Sequence, residues 1–422
     1  MKSPEYYGAA GDGVADDTLA WQSAIDSGET VKAESSKYKC GKLTITSDTI
    51  IDCNNAEFIV TDAILFDCYG EIIKETVESD YIANQKNYTL SDTFTGIAFI
   101  EGTNHVFKQR SYYKGGSVER FVNGVLTSSI PVDITSPTVH ELDTICVNIK
   151  NISNVKFEDI ENAVIVKLQY NENSVVENVN TDNVCYSVLA LWQCYNCTYK
   201  DSTFSIAQYK TYATNYYPIG IYDSCYTKIT NINGYCEGWH CISTGNHTLC
   251  RQTKVDNCVL VSDYPIPAYG DHPNGIETLI KNSDLTSVGV GVKSKIVNCI
   301  IRANVGDSMC RVNLDCCSVD GLAEYEIVDC DFYPEDQSFA GIRVYCSPQS
   351  SGYDYDYYFN SLKVVNCKNK SITIQMPIIN GVASAITGTT RIDTISVKES
   401  TMQIACPAKT RTYMFRCMDS PR

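Results

Sequence analysis

The sequence of 422 residues contains no long uninterrupted run of apolar residues, and its first residues do not have the layout of a signal peptide. A membrane-spanning helix needs about 20 consecutive apolar residues, so we expect no membrane insertion. A signal peptide would combine a basic start, a short apolar run and a cleavage site of small residues. We therefore do not expect export through such a signal.

Positive charge is also scarce. Lys and Arg number 34 against 50 Asp and Glu, which gives a formal net charge of −16 at pH 7. A strongly acidic protein repels the phosphates of nucleic acids and anionic membrane surfaces, so neither is expected as the main partner. Anionic sugars stay open, because a local basic groove is compatible with an acidic protein.

Cysteine, by contrast, is abundant, and its odd count of 21 excludes complete intramolecular pairing. Two interpretations compete: an extracellular disulfide scaffold, or reduced thiols that act as small buried apolar groups. A recurring pattern places Asn or Asp directly before Cys at the end of an apolar run. It occurs at Val255–Cys258, Ile296–Cys299, Ile327–Cys330 and Val364–Cys367. Such cysteines would stack inside a solenoid, so we predict free core thiols made in a reducing cytosol.

The same cysteines supply little evidence for a metal site. Candidate ligands do cluster in one region, namely Cys236, His240, Cys241, His247, Cys250 and Cys258. Structural zinc sites usually show two Cys pairs, or a Cys and a His pair, with matching spacing. The only Cys-x-x-Cys spacing is Cys194 to Cys197, which suits the corner of a coil equally well. We predict no metal and no cofactor.

Polar residues end a long series of short apolar runs from Cys146 onward. Asn231, Asn257 and Asn282 follow three such runs at intervals of 26 and 25 residues. Asn tolerates the left-handed backbone that a sharp corner requires, and stacked Asn side chains can hydrogen-bond along an axis. The recurrence predicts a solenoid whose coils rise about 4.8 Å each.

A Gly- and Asp-rich stretch, Tyr6–Thr18, precedes a short amphipathic segment. We predict a helix from Leu19 to Ser27, capped by Asp17 or Thr18 and ended by Gly28. The sequence YGAAGDGVADDT followed by WQSAID resembles the opening motif of pectate-lyase-like right-handed parallel β-helices, a superfamily that includes phage tailspike depolymerases, polygalacturonase-type hydrolases and mannuronan epimerases. The resemblance implies an all-β, single-stranded parallel β-helix with an N-terminal capping helix.

Changes in the spacing of the short apolar runs suggest five segments along the chain. We expect the motif and capping helix in residues 1–30, the first coils in 31–78, an irregular β insertion in 79–141, the main β-helix in 142–380 and C-terminal strands in 381–422. Within the insertion, Asn123-Gly124 is typical of a type I′ hairpin turn.

Candidate catalytic chemistry is concentrated in two parts of the chain about one coil apart. Tyr235–His247 and Tyr269–Gly275 contain three of the five histidines. We predict catalytic roles for His240, Asp271, His272 and Glu237, and substrate contacts for Tyr269 and Trp239, because a histidine beside a carboxylate holds a tuned proton. On a strand, the adjacent Asp271 and His272 would point to opposite faces, so at most one would need to face a groove.

This pair of segments resembles a histidine-Ser-Thr-Gly segment followed by an Asp-Thr-His-Pro-like segment in phage β-helix tail proteins. It is also similar to the Tyr-Gly-Phe-Asp-Pro-His run of mannuronan epimerases, although here Asp271 and His272 are adjacent. The structural alternative is that His240 caps a strand and that residues 271–275 form an exposed turn. For hydrolysis, two carboxyls about 5.5 or 6.5–9.5 Å apart would be needed. Candidates are Asp223, Glu237, Asp263, Asp271 and Glu277.

Tyrosine occurs 29 times, with runs at Tyr209–Tyr217, Tyr222–Tyr226 and Tyr353–Tyr358. Flat rings stack on sugar faces, and hydroxyl groups bond to their edges. Scattered tyrosines are more simply explained as strand residues. The last run interrupts a coil, so we predict saccharide contact for Tyr353, Tyr355 and Tyr357.

Our leading hypothesis is a phage tailspike or tail-appendage protein that binds and depolymerises a bacterial surface glycan (capsule, lipopolysaccharide or teichoic acid) as a glycosidase or lyase. A phage protein made in the host cytoplasm needs no signal peptide, because lysis releases it. The resemblance further implies a place in the virion tail, contacts with other tail proteins and a homotrimer. Two alternatives stay open: a non-catalytic receptor-binding or structural virion protein, and a bacterial polysaccharide lyase or epimerase.

Overall fold

The computed structural model describes residues 1–106, 113–158, 163–182, 187–206, 217–237, 239–263, 266–272, 274–305, 310–315, 322–334, 340–346, 357–368, 372–379, 390–398, 400 and 402–405. In these residues the chain winds through two long parallel sheets, with one antiparallel sheet inserted between early coils. The predicted parallel β-helix is confirmed. None of the helices in the described part of the chain has the length and apolar character needed to cross a membrane.

The first long sheet has twelve parallel strands, and each coil adds one strand to it. Its strands are Leu43–Ile45, Ile64–Tyr69, Val164–Gln169, Ser187–Trp192, Ile219–Tyr222, Ile242–Gly245, Tyr269–Asp271, Val288–Val290, Cys310–Asp315, Ala340–Cys346, Ile372–Ile379 and Met402–Ala405. We call it the twelve-stranded sheet.

The second long sheet has eighteen strands and bends along its length. For example, the long strand Lys228–Cys236 pairs with both Lys254–Asp256 and Val259–Ser262 of the next coil. Its strands are Asp12–Asp16, Val31–Lys32, Lys37–Cys40, Thr49–Val60, Val147–Phe157, Val175–Asp182, Thr198–Ile206, Lys228–Cys236, Lys254–Asp256, Val259–Ser262, Leu279–Lys281, Asp284–Thr286, Ser294–Val297, Ile300–Arg302, Glu324–Val328, Asp331–Tyr333, Tyr357–Val365 and Thr390–Lys398. We call it the eighteen-stranded sheet.

The bend of the eighteen-stranded sheet is made by residues with left-handed backbone, as the Asn repeat predicts. Asn231 and Asn257 have φ angles of 56° and 53°. The Nδ2 group of Asn257 donates to Oδ1 of Asn231 at 2.8 Å, and that of Asn298 donates to Oδ1 of Asn282 at 2.9 Å. The side-chain ladder along the axis is therefore confirmed.

Replacing Asn257 with alanine tests this corner. Alanine resists the left-handed region, so we expect the free energy of unfolding to fall by about 1–2 kcal/mol. Asn257→Gly is the matched control, because it loses the same amide but accepts the backbone angle, and it should be more stable than Asn257→Ala. Urea unfolding monitored by circular dichroism measures both, and equal stability of the two variants would contradict the account.

The interior between the sheets is one continuous apolar cluster that extends from Trp21 to Cys367. Among the cysteines described, fifteen are free thiols, and all of these except Cys146 are buried. Cys258, Cys299, Cys330 and Cys367 each follow a corner residue and lie in the interior. For the cysteines described, the prediction of free core thiols is confirmed.

The N-terminal helix spans Thr18–Asp26, and its buried face consists of Ala20, Trp21, Ala24 and Ile25. Gly28 follows it with a φ of 70°, as predicted. The predicted side-chain cap is wrong. Asp17 occupies the cap position, but its carboxylate accepts hydrogen bonds from the backbone N–H groups of Ala10 and Gly11, because the Gly-rich loop folds back onto it. A 3-10 helix, Glu5–Tyr7, precedes this loop.

The antiparallel sheet has five strands and is called here the insertion sheet. In spatial order they are Val125–Leu126, Lys114–Val122, Gly96–His105, Thr138–Asp143 and Glu71–Val77. The turn Asn123-Gly124 joins the first two with φ angles of 49° and 75°, which confirms the type I′ hairpin. A further two-stranded pairing, Cys250–Arg251 with Gly275–Ile276, lies where the coils leave the twelve-stranded sheet.

Candidate functional site

Small residues line up on the outer face of the twelve-stranded sheet. Ala190, Gly220, Ser243, Gly270 and Gly289 occupy the same register position on five successive strands. A Cβ atom at Gly220 would collide with the ring of Tyr222, and one at Gly270 would collide with the ring of His240. The lack of a side chain at Gly220 and Gly270 therefore allows the rings of Tyr222 and His240 to pack closely against the sheet.

Six aromatic rings lie over these small residues on the outer face of the sheet, and we call them the ring surface. Trp192 stacks on Tyr222 with centroids 4.3 Å apart. Tyr217 stacks on Trp239 at 5.7 Å. The ring centroid of Tyr217 also lies 5.7 Å from that of His240 and 5.9 Å from that of His272, and the two histidines are 6.5 Å apart. Trp192, Trp239, His240 and His272 are all partly exposed.

The two histidines make different polar contacts. The hydroxyl of Tyr217 lies 2.8 Å from Nε2 of His272. Nδ1 of His240 donates to the backbone carbonyl of Pro267 at 2.6 Å, which leaves Nε2 as the nitrogen with a lone pair. Burial lowers the pKa of His240 to about 4, so its imidazole is neutral near pH 7.

Asp271 and Tyr269 face the interior instead. The side chain of Tyr269 is fully buried. The Asp271 carboxylate accepts four hydrogen bonds at 2.8–3.1 Å, from Tyr269, Thr244, Thr278 and the N–H of Gly291. Burial raises the pKa of Asp271, and these four donors oppose that rise. As strand alternation predicts, Asp271 and the neighbouring His272 point to opposite sides.

A second buried carboxylate, Asp223, ends the strand that carries Tyr222. It accepts hydrogen bonds from both N–H groups of His247 and Thr248, from the Thr248 hydroxyl and from the amides of Gln193 and Asn246. Burial raises the pKa of Asp223 to about 6 against the effect of these donors. Its contacts fix the turn that follows strand Ile242–Gly245.

Glu237 and Asp263 each follow the end of a strand of the eighteen-stranded sheet, Lys228–Cys236 and Val259–Ser262. Glu237 is exposed. Asp263 accepts a hydrogen bond from the Tyr235 hydroxyl at 3.1 Å. Burial raises the pKa of Asp263, and the negative charge of Glu237 raises it further.

The structure thus brings His240, His272 and Trp239 together around Tyr217 and turns Asp271 and Tyr269 inward. Glu237 is exposed and follows the end of strand Lys228–Cys236. Tyr353 and Tyr355 lie outside the described residues. Tyr357 opens strand Tyr357–Val365, and its side chain also lies outside the description.

Sequence reasoning did not single out Tyr217 or Trp192. Tyr217 belongs to the tyrosine run 209–217, but composition alone does not say which of these rings meets a histidine one coil later. The useful signal is the small residue at the centre of successive strands, which leaves room for a ring from the adjacent turn.

A concave region on a different face lies over the eighteen-stranded sheet, with a volume of about 630 Å³. Its charged lining residues alternate in sign along the axis, and Glu326 pairs with Lys295 at 2.6 Å and with Lys363 at 3.5 Å. Within the described ranges no group of three or more His, Cys, Asp or Glu side chains is arranged to hold a metal ion.

No protein-family model matches the sequence, and no curated protein sequence matches it. Solved structures do resemble the fold. The Gp54 tailspike of Acinetobacter baumannii bacteriophage AP22, solved in complex with a capsular saccharide, has a TM-score of 0.69 and 14% identity over 99% of this chain and 74% of its own. The tailspike gp49 of Pseudomonas phage LKA1 has a TM-score of 0.67 and 13% identity over 96% and 81%.

The A-module of the mannuronan C-5 epimerase AlgE6 from Azotobacter vinelandii has a TM-score of 0.54 and 12% identity over the whole of both chains. Identities this low indicate a shared fold and say nothing about a shared reaction. The resemblance to the parallel β-helix of tailspikes and related proteins is confirmed at the level of the fold.

Proposed function

We propose that this protein binds a bacterial surface polysaccharide on the ring surface and depolymerises it there. The observation that carries the proposal is the set of partly exposed rings of Trp192, Trp239, His240 and His272, which extends over several coils. Apolar ring faces stack on sugar rings, and the ring nitrogens of histidine bond to hydroxyl groups. A repeated surface of this kind suits a repeated ligand.

Fold likeness supports the choice of ligand class. The AP22 tailspike, which has the same fold, was solved with a capsular saccharide. Capsule, lipopolysaccharide and teichoic acid are the glycans we propose for this chain. The proposal also places the protein in the tail of a virion, as a homotrimer beside other tail proteins, as the resemblance of the N-terminal motif implies.

A panel of purified capsular polysaccharides, lipopolysaccharides and teichoic acids tests the proposal. We expect one of them to bind and to be shortened, with oligosaccharides detected by size-exclusion chromatography and mass spectrometry. Binding without shortening would favour the alternative of a non-catalytic receptor-binding protein. That alternative gains some support from the buried, fully bonded carboxylates of Asp271 and Asp223.

Trp239→Ala tests where the glycan binds. Removing this ring deletes the stack with Tyr217 at the centre of the ring surface, so we expect the affinity for the bound panel glycan to fall at least about tenfold, which corresponds to about 1.4 kcal/mol. Tyr333→Ala is the matched control, because Tyr333 is exposed on the eighteen-stranded sheet. Calorimetric titration should show unchanged affinity for the control, and equal losses in both variants would place the glycan elsewhere.

A further inference from the structure

A group of charged side chains lies on the twelve-stranded sheet next to the ring surface. Asp67 and Lys167 occupy one register position on adjacent strands, and Ala190 occupies the same position on the following strand, beneath the rings. Lys42 directly precedes strand Leu43–Ile45, which pairs with the strand of Asp67 from the other side. We call Lys42, Asp67 and Lys167 the charged cluster.

An apolar cluster connects the ring surface to the strands of Asp67 and Lys167. Ile64 and Val164 begin these two strands, and both pack in one cluster with Ala190, Trp192, Tyr217, Tyr222 and Trp239. The path from Lys167 to Gly270, which lies against the ring of His240, crosses four strand-to-strand steps, or about 19 Å. A polysaccharide segment of several sugar residues spans this distance, so one chain can contact the rings and the charged cluster together.

Two ammonium groups share one carboxylate in the charged cluster. Nζ of Lys167 lies 3.4 Å from Oδ1 of Asp67, and Nζ of Lys42 lies 3.8 Å from Oδ2. The side chains of Lys42 and Lys167 are 44% and 26% exposed, whereas that of Asp67 is only 11% exposed. The cluster therefore presents a surplus of one positive charge to solvent, on a protein whose formal net charge is −16.

A purely structural ion pair would have a different geometry. Elsewhere in this protein Lys200 closes on Glu177 at 2.6 Å, and Lys295 closes on Glu326 at 2.6 Å. Both distances in the charged cluster exceed the upper limit of about 3.2 Å for a good N–H···O hydrogen bond. Oδ1 of Asp67 is buried and accepts no hydrogen bond within the part of the chain that the structure describes. The N–H groups of both lysines thus remain available to a ligand.

We infer that Lys167 and Lys42 bind an anionic group of the glycan, a carboxylate or a phosphodiester, so that the bound polysaccharide is an acidic one. This inference rests on the proposed function and specifies its substrate class. Lysine is a compact point charge that suits both kinds of anion. The ligand anion would complete a balanced set of two positive and two negative charges with Asp67. The rings hold sugars of any charge, whereas the two lysines select among them.

Replacing Lys167 with glutamine tests the inference by calorimetric titration of the panel glycan that the wild type binds most tightly. We expect the affinity to fall at least about fivefold and to depend less on salt concentration, because one attractive charge is lost. Lys363→Gln is the matched control, since it removes the same charge 3.5 Å from Glu326 on the eighteen-stranded sheet. The control should bind as the wild type does, and both variants should keep the wild-type melting temperature, because partly exposed ion pairs add little stability.

Asp67→Asn separates ligand binding from a merely structural role. Removing the carboxylate leaves both ammonium groups to the ligand, so this variant should bind the glycan more tightly than the wild type, whereas a structural role predicts weaker binding or none of this gain. Chemical reduction of the glycan's carboxylates to alcohols identifies the anion. For a carboxylate, reduction weakens wild-type binding and has little further effect on Lys167→Gln; for a phosphodiester, it changes neither.

Three results would overturn the inference and leave the proposed function intact. They are equal affinity of the wild type and Lys167→Gln, weaker binding by Asp67→Asn, and a tightest-binding panel glycan that carries no negative charge. A wild-type protein that binds none of the panel glycans would overturn the inference and the proposed function together.

Discussion

Replacing Arg251 with methionine is expected to lower the free energy of unfolding by about 3–5 kcal/mol, because it leaves a buried carboxylate without its counter-charge. Glu119 is fully buried and Arg251 is 2% exposed, and the two form an ion pair. Glu119 also accepts hydrogen bonds from Ser117 and Ser128, while Arg251 donates to the carbonyl of Ser129 at 2.9 Å. The pair joins the insertion sheet to the coils.

The double variant Glu119→Leu, Arg251→Met is the control for this effect. Replacing both charges with apolar groups removes the unpaired charge, so the double variant should be clearly more stable than Arg251→Met alone. Calorimetric and denaturant-induced unfolding measure the difference. A single variant within about 1 kcal/mol of the wild type would mean that water reaches Glu119, which would contradict the docking of the insertion sheet described above.

Lowering the pH from 7 to about 4 is expected to remove up to about 3 kcal/mol of stability through His240 alone. Its pKa in the folded protein is about 4, against 6.5 for the free side chain. Below pH 6.5 the unfolded chain binds a proton that the folded protein does not bind until about pH 4. The stabilisation is therefore complete above pH 6.5 and is lost as pH falls, by about 1.4 kcal/mol for each pH unit between the two pKa values.

Asp223 changes the free energy of unfolding in the opposite direction over nearly the same pH range. Its folded pKa of about 6 lies above the ordinary value of 3.8, so its contribution increases as pH falls from 6 toward 4. In the pH dependence of wild-type stability these two opposite contributions partly cancel. The informative quantity is the difference in unfolding free energy between wild type and His240→Asn, whose amide can still donate to Pro267. That difference should shrink steadily below pH 6.5, and a difference that is constant with pH would contradict the lowered pKa of His240.

The fold was largely predictable because particular residue types recur at the same position of successive coils. Asn257, which must adopt a left-handed backbone, and Cys258, which must be small and apolar, recur at one phase of successive coils. The hairpin at Asn123-Gly124 and the end of the helix at Gly28 were predictable because these residues also tolerate a left-handed backbone. The hydrogen bonds of the Asp17 carboxylate were not predictable, because its partners Ala10 and Gly11 approach it only when the preceding loop folds back.

The candidate site was predictable only in outline. Alternation on a strand requires that Asp271 and His272 point to opposite sides, but only the register shows that Asp271 is the one that faces inward. The contact of Tyr217 with His272 joins residues 55 positions apart, and the ion pair of Glu119 with Arg251 joins residues 132 apart. Such pairs depend on how coils and insertion stack, which no local pattern in the sequence specifies.

We propose that the outer face of the twelve-stranded sheet, at Trp239, His240 and His272, holds the glycan. The most direct test is a crystal structure soaked with an oligosaccharide from the panel glycan that binds best. We expect sugar rings stacked on Trp239 and within hydrogen-bonding distance of the two histidines. Sugar density in the concave region beside Lys295, Glu326 and Lys363, with the ring surface empty, would contradict it.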